Sequence, residues 1–325
     1  MPLETIGSPM LWSAFLAFVL AMLAIDLGVF HRNAHEVSVK EAAAWSAIWF
    51  VLAVIFNLGV YSWFGTERAL EFATGYLIEK ALAVDNIFVF VVIFSAFSVP
   101  ARYQHRVLFW GVIGALVMRA AFIFAGAAFL QRFHWGIYVF GAILAITGIK
   151  LLLQRHEEMH PEQNPLLRGF QRLFPVTHEM QGDKFTIVRA GRRYATPLLL
   201  ALLAVEITDL IFAVDSIPAI FAVTADPFIV FTSNIFAILG LRSLYFLLAG
   251  VITQFAYLKV GLSFVLIFVG AKMLLMDVYK IPIGVSLAAI AGILGASVLV
   301  SLWKPPSARE VSCDVLLEDP KVEVE

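Results

Sequence analysis

Five acidic residues lie within apolar stretches that are long enough to sit in lipid. They are Glu79, Asp85, Glu206, Asp209 and Asp215. Two occur in EKALAVDNIFVF (79–90) and three in VEITDLIFAVDSIPAIF (205–221). A charge at the centre of a membrane helix costs roughly 2.5–3.5 kcal/mol on translocon scales, so five charges require compensation. The pattern indicates either a cation site or a set of internal ion pairs.

The spacing of polar residues in these segments favours a shared site. Glu79 and Asn86 are seven residues apart, so both project from one face of a helix. Asp209 and Ser216 have the same spacing, and Glu206 shares the face of Asp209. We therefore predict Asn86 and Ser216 as accessory ligands beside the acids.

Two of the acids point away from that face in a regular helix. Asp85 and Asp215 lie about 100° around the helix axis from their neighbours Asn86 and Ser216. Convergence of all five acids therefore predicts a break in each helix. The candidate positions for the two breaks are Gly75, Pro218 and the polar dipeptides at 85–86 and 215–216.

The donor atoms define the class of ion. The two segments offer carboxylate, amide and hydroxyl oxygens and contain no His or Cys. Such hard donors suit Mn2+, Ca2+ or Mg2+ rather than Cu+ or Zn2+. The ion would be cargo, and no resident cofactor is expected.

Basic residues could balance part of the acidic charge. Lys80, Arg119 and Arg242 lie in or next to the same apolar stretches. Asp26, in the first apolar run, is open to four interpretations: a gate, a sixth ligand, a proton carrier, or an acid near the membrane interface that pairs with Arg32. Internal pairing of all the acids with bases is the structural alternative to a cation site.

The elements that position these residues are membrane helices. The chain of 325 residues is 61% hydrophobic and 14% charged, whereas a soluble domain averages about 25% charged residues. We therefore expect an all-α polytopic membrane protein. About nine runs approach the ~20 residues of a bilayer crossing: 9–30, 42–64, 73–97, 107–130, 135–154, 196–223, 228–249, 255–276 and 282–303.

Loop charges predict the orientation. Lys and Arg concentrate in 31–41, 98–106, 155–195 and the tail, and such segments remain cytoplasmic. The amino terminus is then outside and the carboxyl terminus inside. The organisation is a single transporter domain, whose parts are helices one to five (1–154), a cytoplasmic loop (155–195), helices six to nine (196–303) and a cytoplasmic tail (304–325).

Helices three to five resemble helices six to eight. Aligning Asp85 with Asp215 also pairs Glu79 with Asp209, and the next helix then pairs Arg119 with Arg242. The following one pairs GIKLLL (148–153) with GAKMLL (270–275). A shift of three helices inverts the second copy, and inverted repeats are typical of secondary transporters. Chance similarity between apolar helices is the alternative.

Several other functions are disfavoured by the sequence. HEEMH (156–160) matches the zinc-protease pattern HExxH, but Pro161 follows it in a charged loop. It is better read as a solvated loop or an accessory metal site. Cys313 is the single cysteine, so the chain has neither a disulfide framework nor a CxxC redox pair. The net charge of −1 gives no reason to expect binding to nucleic acid. We expect no enzyme activity; lipid, a metal ion and protons are the expected partners.

Three long motifs occur in order along the chain: YLIEKALAVDNIFVF (76–90), GRRYATPLLLALLAVEITDLIFAVDSIPAIFAVT (191–224) and SNIFAILGLRSLYFLL (233–248). They resemble the TerC family of integral membrane proteins, most closely its Alx branch. The resemblance spans residues 10–303. It implies a nine-helix fold of the LysE-like transporter superfamily and manganese export across the bacterial inner membrane.

The same resemblance implies that the five acids form the metal site. The alternatives within the family are a non-transporting role in tellurite or redox stress resistance, and metal delivery to secreted proteins. Export of a divalent cation opposes the membrane potential by roughly 2 × 2.3 kcal/mol per 100 mV. The chain has no GxxxxGK[ST] loop for ATP, so protons are the predicted counter-ion.

Overall fold

The computed structural model describes residues 5–30, 38–133, 135–153, 165–177, 180, 182–189, 191–249 and 257–303. Helices dominate this part of the chain. They are α1 (Pro9–Phe30), α2 (Val39–Ala96), α3 (Ala101–Arg132), α4 (Gly136–Leu153), α5 (Pro165–Leu173), α6 (Pro197–Phe221), α7 (Pro227–Leu239), α8 (Leu241–Leu248), α9 (Leu258–Leu274) and α10 (Ile283–Trp303).

Helix α2 joins two of the predicted apolar runs. It is 58 residues long, and Gly65 interrupts its helical torsions with φ 86° and ψ 178°. A positive φ is open to glycine because glycine lacks a Cβ. The Ser38 side chain caps the amino-terminal end by accepting a hydrogen bond from Glu41 N. The chain therefore turns at Gly65 and begins a second long helical segment there.

The described helices define a polytopic membrane protein. Five of them, α2, α3, α4, α6 and α10, are long and apolar enough to cross a bilayer. A sixth span arises if α7 and α8, which meet at a 41° bend, count as one. Residues Pro9–Ile25 and α9 are apolar but shorter. The all-α membrane class is confirmed, whereas the count of nine spans and the inverted repeat stay predictions.

Helix α7 is the centre of the packing. All 13 of its residues are buried, and it contacts α2 and α3. Phe228, Phe231 and Phe236 pack edge-on or tilted against Phe15 of α1. The outer surface is apolar in contrast, and large exposed side chains such as Val117 and Ile146 suit a lipid environment.

Helices α4 and α9 approach each other through glycines. A Cβ on Gly270 would come within 2.6 Å of Ala145 N, and one on Gly148 within 2.8 Å of Ser263 O. Small residues allow membrane helices this backbone contact. Gly148 and Gly270 begin the two sequences GIKLLL and GAKMLL, so helices that are predicted repeat equivalents pack directly on each other.

A short hairpin lies within the predicted cytoplasmic loop. Strands β1 (Thr186–Arg189) and β2 (Arg192–Ala195) pair antiparallel, with Thr186 opposite Ala195. Gly191 between them has φ +75°, and an ion pair joins Arg106 of α3 to Asp183. The sequence analysis missed both this hairpin and α5. The HEEMH stretch, Cys313 and the tail lie outside the described residues.

Candidate intramembrane ion site

Arg119 lies at the centre of a buried polar group in the helical bundle. Its side chain is 1% exposed, although it projects from the apolar helix α3. The guanidinium donates to Asp209 of α6, from Nη2 to Oδ1 at 2.9 Å and from Nε to Oδ2 at 3.2 Å. Its Nη1 also forms an ion pair with Glu79 of α2. One guanidinium thus joins acids from two helices.

Two neutral side chains complete this group. Asn234 of α7 donates from Nδ2 to Glu79 Oε2 at 3.1 Å and accepts from Arg119 Nη1 at 3.3 Å. The Ser216 hydroxyl of α6 accepts from the same Nη1 at 3.3 Å. The structure therefore brings Glu79, Arg119, Asp209, Ser216 and Asn234 together, and we call these five residues the central cluster.

Sequence reasoning missed Asn234. Its signal was a lone amide in the apolar run 228–249, within SNIFAILG. The residue is completely buried, and a buried amide requires hydrogen-bond partners in the core. A lone amide within an apolar run therefore indicates a buried polar site, as a lone acid does.

The charges of the central cluster are unequal. With both acids ionised, Glu79 and Asp209 outnumber Arg119 by one negative charge. Glu206 lies three residues before Asp209 on α6, and its carboxylate fills the space that a Cβ on Gly114 of α3 would occupy. Uncompensated charge in a low-dielectric interior is strongly unfavourable. Within the central cluster, one negative charge is therefore left to be balanced by a neighbouring base, a proton or a bound cation.

Asp85 and Asp215 lie apart from the central cluster. Thr147 of α4 donates a hydrogen bond to Asp215 at 3.2 Å, and Asp85 interacts electrostatically with Lys259 of α9. Asn86, the predicted accessory ligand, is 1% exposed. Among the described residues, no three His, Cys, Asp or Glu side chains are close enough to hold a metal ion.

The predicted helix breaks are wrong, and this explains the separation. Within α2 the non-helical torsions occur at Gly65 rather than at Gly75 or 85–86. Helix α6 continues through 215–216 and Pro218 to Phe221. Because the helices are regular there, Asp85 and Asp215 keep their offset of about 100° from the face of the central cluster. Each finds its own polar neighbour instead.

The remaining predicted residues have different surroundings. Lys80 donates from Nζ to Ala237 O at 3.2 Å, close to the bend between α7 and α8. Arg242 is buried at the start of α8 and lines a small cavity that reaches Asp209. Asp26 belongs to α1, but its side chain lies outside the described residues.

The cavity next to Asp209 is small and lies in the interior of the bundle. Its walls include Phe90 of α2 and Leu108 of α3. Both residues lie in the parts of these helices that lead to the 97–100 connection, which belongs to a predicted cytoplasmic segment. Apart from Asp209 and Arg242, the lining is apolar.

A second buried polar group lies near the start of the α2 segment that follows Gly65. Glu71 accepts from Arg68 at 3.0 Å and from the Thr224 hydroxyl at 2.8 Å. Asp226 caps α7 and also accepts from Thr5 Oγ1 and Ile6 N, both at 2.8 Å. These bonds tie the start of the chain to the connection between α6 and α7.

Fold and site together define a polytopic helical membrane protein with an ion-paired polar centre. The family model described as "Integral membrane protein TerC family" matches residues 64–309. The chain therefore belongs to the TerC family, and the resemblance seen in its motifs is confirmed. No solved structure matches the chain.

Relatives match along nearly the whole chain. An "Uncharacterized membrane protein" of Myxococcus xanthus is 62% identical and covers 95% of this chain and 97% of its own. A protein of Escherichia coli K12 named "Putative membrane-bound redox modulator Alx" is 49% identical, covering 93% and 97%. An uncharacterized membrane protein of Rickettsia felis is 41% identical, covering 90% and 97%.

Proposed function

We propose that the protein transports a divalent metal cation, and specifically that it exports Mn2+ from the cytoplasm. The observation that supports this most is the central cluster, because two carboxylates are buried against a single guanidinium at the core of a membrane protein. Intramembrane acids of this kind mark ion pathways. The cluster also offers amide and hydroxyl oxygens, which suit hard cations.

The ion would approach Asp209 from the side of the 97–100 connection, which the loop charges predict to be cytoplasmic. Glu206, held next to Gly114, and Asp209 would be the acids it meets on α6. Towards the other end of the bundle, the bonds of Glu71 and Asp226 join α2 and the start of the chain to the connection between α6 and α7. The proposal is therefore loading from the cytoplasm and release outside, across a bacterial inner membrane.

Protons are the proposed counter-ion. Carboxylates in a low-dielectric site repel one another and retain protons when no cation is bound. An arriving divalent cation displaces those protons, so release of metal on the far side allows protons to return. An inward proton gradient thereby drives Mn2+ outwards against the potential.

The names of the Alx relatives suggest a second function, redox modulation. Direct thiol chemistry would need cysteines, and the single cysteine of this chain is Cys313 in the tail. Metal transport could still alter the redox state of a cell through its metal content. A non-transporting role in stress resistance, or in metalation of secreted proteins, is the outcome if the purified protein moves no ion.

Flux into and out of proteoliposomes tests the proposal. The purified protein should transport Mn2+, with Ca2+ or Mg2+ competing better than Zn2+. Glu79→Gln should abolish this flux, because it removes a buried acid of the central cluster. Glu67→Gln is the matched control, since Glu67 lies on the same helix but is exposed. No Mn2+ flux in the wild type would refute transport.

A pH gradient across the same vesicles tests the coupling. In vesicles whose protein is oriented as in the cell, outside-acid medium should accelerate Mn2+ efflux, and a proton ionophore should remove the acceleration. If neither the pH gradient nor the ionophore changes the flux, the proton is excluded as counter-ion, while the proposal of transport is unaffected.

A further inference from the structure

The guanidinium of Arg119 occupies the place that a bound cation would need. It makes five hydrogen bonds, to Glu79, Asp209, Ser216 and Asn234. Four of these use the two acids or Ser216, which are also the oxygens predicted to bind metal. Arg119 cannot give up its charge by losing a proton, because a guanidinium is not deprotonated in proteins. Metal and guanidinium therefore compete for the same oxygens.

We propose that Arg119 is a tethered counter-ion that fills the empty site and that the transported cation must displace. This inference rests on the proposed function and deepens it. A divalent ion between Glu79 and Asp209 would repel a guanidinium at hydrogen-bonding distance from both acids. Loading thus requires the Arg119 side chain to leave, and unloading is assisted by its return.

Asn234 sets the resting position of Arg119. It is not ionisable, and it bonds both the guanidinium and Glu79 from the fully buried helix α7. Its carbonyl oxygen holds Nη1 close to Glu79, while the fork of Nε and Nη2 holds Asp209. The resting position of the Arg119 guanidinium is therefore fixed by hydrogen bonds to residues of three helices, α2, α6 and α7.

The Arg119 side chain has opposite effects on the affinity for metal and on the rate of transport. A site that is competent only when Arg119 has moved away binds metal with an affinity reduced by the fraction of time it is open. Release of metal without Arg119 would leave protons alone to compensate the two buried acids, so the ion would stay bound longer. Removing the positive charge should therefore strengthen binding and slow transport.

Titration of Mn2+ into purified protein in nanodiscs, paired with flux in proteoliposomes, tests this inference. For Arg119→Gln we expect a Kd at least tenfold lower than in the wild type and transport at least tenfold slower. Arg119→Lys should give intermediate values, because the ammonium keeps the charge but lacks the planar fork that grips a carboxylate. Arg132→Gln is the control, since Arg132 is exposed at the end of the same helix.

The outcomes separate the inference from the proposed function. If the wild type neither binds nor transports Mn2+, transport itself is wrong. If the wild type does both and Arg119→Gln binds Mn2+ no more tightly, the competition is wrong while transport stands. If the Gln variant does not fold, Arg119→Lys carries the test, and a Kd equal to or above the wild-type value would overturn the inference.

Discussion

Arg119 and Asp209 form a bidentate ion pair, in which Nε donates to one carboxylate oxygen at 3.2 Å and Nη2 donates to the other at 2.9 Å. The planar guanidinium matches the carboxylate in this geometry. Both side chains are almost completely buried. The pair therefore locks α3 to α6 in the core of the bundle, and the bond to Glu79 adds α2.

Loss of the ion pair between Arg119 and Asp209 should destabilise the protein. Asp209→Ala removes both acceptors and leaves a buried guanidinium with Glu79 as its remaining acid, so we expect a loss of about 3 kcal/mol in unfolding free energy. Thr208→Ala is the neighbouring control, because the Thr208 hydroxyl bonds a carbonyl of its own helix. Denaturation in mixed detergent micelles measures both. Equal unfolding free energies for the two variants would contradict a stabilising role of the Arg119–Asp209 ion pair.

Gly114 should be essential to the position of Glu206. A methyl group on residue 114 overlaps the Glu206 carboxylate, so Gly114→Ala should push that acid off α3 and reduce Mn2+ transport at least tenfold. Gly292→Ala on α10 is the matched control, because a Cβ there meets nothing within 4 Å. Removing a helical glycine in that open position should cost nothing in flux. Full activity of Gly114→Ala would show that Glu206 does not act from this position.

The charge of Asp215 should matter more than its hydrogen bond. Asp215→Asn keeps an acceptor for Thr147 but removes the negative charge, and we expect both this variant and Asp85→Asn to abolish Mn2+ flux. Thr147→Val removes the bond alone and should reduce flux by less than about threefold, in line with ~1 kcal/mol for one hydrogen bond. The reverse order of effects would assign Asp215 a purely structural role.

Apolar length was sufficient to locate several of the helices. The predicted run 107–130 falls within α3, and the run 282–303 matches α10 to within one residue. The turn at Gly65 was not visible in the same way, because one glycine between two apolar runs is compatible with a loop or with a kinked helix. The hairpin β1–β2 was missed because four-residue strands in a charged loop have little apolar pattern.

The central cluster was predictable in part. Glu79 and Asp209 stood out because a buried charge is expensive wherever it occurs. Their partner Arg119 could be assigned only to the next helix, since sequence spacing does not tell which helices touch. Asn234 was overlooked because an amide carries no charge. Asp85 and Asp215 were expected at the same point because local compensation by Thr147 or Lys259 depends on packing alone.

Lys80 should act on the bend between α7 and α8 rather than on the acids. Its ammonium bonds Ala237 O at 3.2 Å, near the carboxyl end of α7, where carbonyls lack helical partners and a positive charge is favourable. Lys80→Met should lower the unfolding free energy by about 1–2 kcal/mol and leave the Kd for Mn2+ unchanged. A large change in Kd with normal stability would place Lys80 in charge balance instead.

The single cysteine allows a direct test of orientation. Cys313 lies in the tail that the loop charges predict to be cytoplasmic, and it is the one thiol in the chain. A membrane-impermeant maleimide should leave it unlabelled in intact cells and label it after the membrane is opened. Ser8→Cys in a Cys313→Ser background is the counterpart, since residue 8 precedes α1 and should react from outside. Labelling of Cys313 in intact cells would reverse the orientation, and the ion would then approach Asp209 from the exterior, which favours uptake over export.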